Sequence, residues 1–154
     1  MPIVPLPTPG RREAAAAALE AKHRLQVPWT TIAKTLDRSL VWSTSAVLGQ
    51  QPLNAEQARA VGSLLHLNDD VVEALQLPPM RGADTVDATE PVVYRLQEMV
   101  QVYGATLAEL IREEFGDGIM SAIDFELSVE RREDPEGDRV RLVLDGKFLP
   151  YRVF

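Results

Sequence analysis

No cysteine occurs anywhere in the 154 residues. That excludes a disulfide framework, a thiolate nucleophile and any Cys-ligated metal. Histidine is nearly absent as well. His23 and His66 are the only two, too few for a histidine-built metal site within one chain. No run approaches the roughly 18 apolar residues that a membrane-spanning helix needs. The N-terminus carries neither the basic stretch nor the continuous apolar stretch of a secretory signal. Positive charge is in short supply: Lys and Arg total 16 against 23 Asp and Glu, a net charge of −7. Such a balance argues against a general nucleic-acid binder. These absences predict a soluble, cytoplasmic protein that uses no metal and touches no membrane. Any chemistry falls to Arg, Glu, Asp, Ser, Thr, Tyr and backbone groups.

What is present divides the chain. Residues 1–10 hold four prolines, and a chain lacking those N–H groups is expected to be extended. Residues 11–80 read as a helical bundle. The alanine run Ala14–Ala18 drives a first helix from Arg11 to about Leu25. Shorter helices are expected over Thr30–Leu36, Ser39–Leu48, Glu56–Leu65 and Asp69–Leu75. Asn54 and Gln57 have the spacing of a capping pair, and Gly49 fits a helix stop. Residues 81–90 hold few large apolar side chains and read as a linker. Residues 91–154 form a second domain. Pro91 opens a helix whose Val92, Leu96, Met99 and Tyr103 share a face. Gly104 is expected to end it, and Thr106 with Glu109 to cap another helix reaching Phe115, with Leu107, Leu110 and Ile111 inward. Phe125, Leu127 and Val129 alternate with charged or polar residues as a half-buried strand does, and Val140, Leu142 and Leu144 alternate again. Asp145-Gly146 is expected to turn the chain into an apolar tail. The fold class is therefore α+β. So thin a second domain buries its apolar face poorly alone, which implies completion by another subunit.

Four places offer chemistry. Trp29–Leu48 has the look of a repressor helix-turn-helix. Its second helix, Ser39–Leu48, carries no charge and none of the usual base-reading side chains. Across Trp29–His66 three cations face two carboxylates, so phosphate affinity is weak and a packing module is the better reading. Tyr94-Arg95-x-x-Glu98 sets Arg95 and Glu98 three apart on a helix, where they can pair. The spacing fits a solvated surface ion pair and equally an anion clamp in which Glu98 orients the Arg95 guanidinium. Ser121, in Gly116-Asp117-Gly118-Ile119-Met120-Ser121, is either a local capping hydroxyl or a donor to an anion. With no histidine nearby it is not a conventional nucleophile. His23 and His66 read as surface or cap residues.

Together these segments resemble the cyanase (cyanate hydratase, cyanate lyase) family over roughly residues 12–154. The resemblance rests on Tyr94-Arg95-x-x-Glu98-Met99-x-Gln101-Val102-Tyr103-Gly104, on Phe115-Gly116-Asp117-Gly118-Ile119-Met120-Ser121-Ala122-Ile123, on Asp134-Pro135-Glu136-Gly137 and on Leu144-Asp145-Gly146-Lys147-Phe148-Leu149-Pro150, with Leu48-Gly49-Gln50-Gln51 in the helical half. Where the family often carries cysteine after its Arg-Gly pair, Ala83 follows Arg81-Gly82 here. The resemblance implies a repressor-like N-terminal bundle that binds no DNA, and interlocked C-terminal dimers assembled into a homodecamer. It implies bicarbonate-dependent decomposition of cyanate to ammonia and carbon dioxide through a carboxy-carbamate dianion and carbamate. It places catalysis on Arg95, Glu98 and Ser121, and substrate contact also on the backbone around Ala122 and Leu149. No metal or organic cofactor is implied; bicarbonate is a co-substrate. The competing readings are a helix-turn-helix transcriptional regulator and an inactive oligomeric scaffold.

Overall fold

The computed structural model describes residues 8–79, 81–82 and 86–154. Most of the proline-rich arm, and Ala83, lie outside them. The chain divides into two compact units, Met1–Asp84 and Thr85–Phe154.

Among the described residues the first unit is a bundle of five helices: α1 (Thr8–Arg24), α2 (Trp29–Leu36), α3 (Leu40–Val47), α4 (Ala55–Leu65) and α5 (Asp69–Ala74). The first helix starts at Thr8, so the expected extended arm does not reach residue 10. Pro9 falls in the first turn, where the missing N–H has no intrahelical partner to lose. Ala14, Ala18 and Ala21 form the buried stripe of α1, and their small side chains let Ile32, Leu36, Ala46, Val47, Val61, Leu65 and Leu75 close around it. Arg11 is also buried. Its Nη2 donates to the carbonyls of Ala46, in the last turn of α3, and, at 3.1 Å, Gln51 beyond it. Among the described residues no carboxylate pairs with it, and burial pulls its pKa below the usual arginine value.

The helix boundaries are set by side-chain caps. Asn54 Oδ1 accepts from Gln57 N at 2.8 Å and Gln57 Oε1 accepts from Asn54 N at 3.0 Å, a complete capping box for α4. Ser39 Oγ accepts from Trp42 N at 3.2 Å and starts α3. Asp37, left-handed at φ 51°, ends α2 and makes the turn between them. The helix-turn-helix shape is therefore present, and α3 has no charged residue to put in a groove. His23 is exposed in the last turn of α1, and His66 closes α4 in the left-handed conformation.

The second unit is one long helix and one hairpin: α6 (Pro91–Phe115), β1 (Gly118–Arg132) and β2 (Arg139–Pro150). Glu90 caps α6, accepting from Val93 N at 2.9 Å, and Pro91 follows it. The expected break at Gly104 does not occur. Gly104 has no positive φ, and one interior glycine costs a helix only about 1 kcal/mol. Thr106 and Glu109 are interior residues rather than a cap. Gly116, at φ 92°, is where the helix stops. Nor do Leu107 and Leu110 point into a core: no residue of α6 is buried, and Val92, Tyr103 and Leu110 are 66%, 54% and 56% exposed.

β1 and β2 pair antiparallel around the Asp134–Gly137 loop, where Asp134 accepts from Arg132, Arg139 and Glu136 N. The expected turn at Asp145-Gly146 is instead continuous strand, because both residues pair with β1, Asp145 with Glu126 and Gly146 with Phe125. Register is regular from Arg132 to Phe125. It then breaks: Met120 pairs with Phe148 and Phe125 with Gly146. Residues 121–124 therefore bulge opposite Lys147 alone. Gly146 permits the bulge. A Cβ there would collide with the Ser121 carbonyl oxygen and lie 2.5 Å from Met120 Cγ.

Gly146→Ala should therefore destabilise the hairpin by about 1–3 kcal/mol, as overpacking does, and lower the thermal unfolding midpoint. An unchanged midpoint would mean the bulge opens freely and does not fix Ser121.

Candidate active site

Three neighbouring positions on α6 build the first half of the site. Arg95 and Glu98 are three residues apart, Tyr94 and Glu98 four, so all three fall on one side of the helix. Arg95 Nη1 donates to Glu98 Oε2 at 2.5 Å. The Arg95 guanidinium carbon lies 5.0 Å from the centre of the Tyr94 ring. The two side chains of the ion pair are 68% and 49% exposed, so the pair itself adds little to stability. Its geometry is more telling. Glu98 takes one end of the guanidinium, and no other hydrogen bond to Arg95 occurs among the described residues. The Nε–Nη2 edge, the two-pronged donor that matches oxyanions, is left unengaged.

The second half sits on the β1 bulge. Ser121 is 6% exposed. Its Oγ accepts from Ile123 N at 3.0 Å and from Asp124 N at 2.9 Å. A hydroxyl has two lone pairs and one proton. Both lone pairs are occupied, so the remaining capacity of Ser121 is to donate. That suits an anion binder and opposes a nucleophile, whose lone pair must be available. The hydroxyl also shapes the bulge, so the local capping role and the donor role coexist in one atom. Ala122 follows on the exposed lip of the bulge. Leu149 pairs with Ile119 on the neighbouring strand. Lys147, opposite the bulge, places Nζ 4.0 Å from Asp124 Oδ2.

The two halves stand far apart along one chain. From Arg95 to Phe115 the helix rises about 30 Å at 1.5 Å per residue. Six further residues reach Ser121, and fully extended they span only about 20 Å. A link turned straight back along the helix still falls about 10 Å short. The hairpin in fact makes little contact with α6, although Phe115 stacks on Phe148 with ring centres 5.2 Å apart. Sequence reasoning placed Arg95 and Glu98 correctly on one helix, but it expected Ser121 on the glycine turn, whereas β1 starts at Gly118 and carries Ser121 in its bulge. It missed the Tyr94 stack, whose only signal was an aromatic next to the arginine, and the role of Gly146, which resembled a turn glycine. Among the described residues no group of three or more His, Asp or Glu is arranged to hold a metal ion, and no helix is long and apolar enough to cross a membrane.

Comparison with known proteins agrees with this layout. Residues 85–153 match the family model for the cyanate lyase C-terminal domain, and residues 11–79 match that for the N-terminal region of cyanate hydratase. A cyanate hydratase from Thiobacillus denitrificans is 49% identical over 145 residues, covering 94% of this chain and 99% of the relative. One from Ralstonia pickettii is 48% identical with the same coverage. The crystal structure of cyanase from T. urticae superposes with a TM-score of 0.79 at 36% identity, covering 89% of this chain and 96% of that one. The two units are thus the two halves of one family's architecture, and the chain belongs to the cyanate lyase family.

Proposed function

We propose that this protein is a cyanate hydratase that decomposes cyanate with bicarbonate as co-substrate. The observation that carries the reading is the Arg95–Glu98 pair, which leaves one two-pronged edge of the guanidinium available on a helix of a cyanate lyase family member. Both substrates are monoanions. Held about 4 Å apart near a protein surface, they repel by about 4 kcal/mol. A protein of net charge −7 needs a local positive focus to hold them together.

Arg95 binds and neutralises the anions, and Ser121 with nearby backbone N–H groups donates to them. The backbone around Ala122 and Leu149 lines the same site. A bicarbonate oxygen forms a bond to the cyanate carbon, and its proton passes to the cyanate nitrogen. Arg95 stabilises the resulting carboxy-carbamate dianion. Glu98 holds Arg95 and is placed to assist the proton transfer. One proton is taken up as a C–O bond breaks, releasing carbon dioxide and leaving carbamate. Carbamate takes up a second proton and falls to ammonia and another carbon dioxide. The sum consumes cyanate, bicarbonate and two protons, and yields ammonia and two carbon dioxide molecules. Proximity and charge stabilisation supply the acceleration, and no metal or organic cofactor is needed.

The reach argument and the uncovered faces of α6 support an assembly of several copies, with Arg95 of one chain facing Ser121 of another. Interlocked dimers building a decamer, at work in the cytoplasm, fit that requirement. The uncharged α3 disfavours the regulator reading.

Purified protein should release ammonia from cyanate only when bicarbonate is added, and a chelator should not change the rate. Absence of release from a well-formed oligomer would refute the assignment and favour an inactive scaffold. Arg95→Lys keeps the charge and loses the fork, so turnover should fall by about 100-fold or more, in the range of a lost charge-stabilising donor, with the assembly intact by light scattering. Near-normal turnover would remove the anion clamp from the mechanism.

A further inference from the structure

Resting on the cyanate reading, the geometry points to Tyr94 as a positioning residue: its ring holds the Arg95 guanidinium from a second direction while Glu98 holds Nη1, so that the Nε–Nη2 edge is the part presented to the anion. The argument starts from charge. Arg95 and Glu98 together are neutral, and the pair has no net pull on a distant anion. Attraction arises only close in, from N–H groups aimed at the anion, so it depends steeply on how the guanidinium is oriented. One hydrogen bond at Nη1 leaves the planar group able to swing about that bond. A second contact from a different direction removes the swing.

Tyr94 provides it. The guanidinium carbon is 5.0 Å from the ring centre, inside the roughly 6 Å range of a cation–π contact. Adjacent residues on a helix do not normally face each other. Here the Arg95 side chain lies back over its neighbour, which brings it against Tyr94 and Glu98 together. The electron-rich ring face favours the cation over a neutral group of the same shape. A leucine of similar bulk supplies packing without that field.

The test separates the ring's field from its volume. Tyr94→Leu should raise KM for both cyanate and bicarbonate several-fold with the oligomer unchanged by light scattering, and Tyr94→Phe should restore most of the lost affinity because it keeps the ring face. Phenylalanine analogues with one, two and three ring fluorines, placed at position 94, keep the shape and progressively weaken the negative face. KM should rise stepwise along that series. A flat series, or a Leu effect that Phe does not restore, would assign Tyr94 to packing and overturn the proposal. Wild-type protein that releases no ammonia with bicarbonate would instead overturn the cyanate reading beneath it.

Discussion

The rise of α6 sets where every functional group can be. Because Pro91–Phe115 is one unbroken helix, Arg95 and Glu98 stand about 30 Å from the turn that leads to Ser121. The six intervening residues, even turned straight back, leave the two backbones about 10 Å apart. The same helix leaves Val92, Tyr103 and Leu110 in solvent, a cost that a solitary domain of this size is poorly placed to offset. Both features support the proposed assembly of several copies.

The electrostatics follow from that arrangement. On the proposed function, a protein with excess carboxylates must assemble positive potential where two monoanions meet, with directed donors rather than bulk charge. Arg95 is held at Nη1 by Glu98 and lies over the Tyr94 ring. Ser121 has both lone pairs committed to Ile123 and Asp124, so its proton is what it offers. In the proposed mechanism each group is restricted to one way of acting, which gives a small site its orientation. Gly146 enters here as well, since the Ser121 bulge exists only because position 146 has no Cβ.

Much of this was legible in the residues because it is local. The Asn54–Gln57 capping box, the Pro91 start and the alternation of Phe125, Leu127 and Val129 are short-range signals that tertiary structure left alone. Several misreadings concern glycine. Gly104, Gly116 and Gly146 are the same residue in sequence, yet one lies inside a helix, one ends it at positive φ, and one makes room for a neighbouring backbone. Asp145-Gly146 carries a turn signature, but the strand pairing available across from it is stronger, and the true loop is at Asp134–Gly137. Leu107 and Leu110 were placed inward because periodicity reports an apolar face, not what covers it. Arg95 and Glu98 were legible as a pair, and the stacking of Tyr94 was not, because adjacent helical residues carry no expectation of contact.

The central claim is that Arg95 and Ser121 act together from different chains. Subunits carrying Arg95→Ala and subunits carrying Ser121→Ala, each tagged differently, would be co-expressed and the doubly tagged assemblies isolated. Each variant alone should lack bicarbonate-dependent ammonia release. The mixed assemblies should regain a measurable part of it, because some sites then combine an intact Arg95 from one chain with an intact Ser121 from another. Mixed assemblies of normal size that stay inactive would contradict the account, since they would show that both residues must come from the same chain.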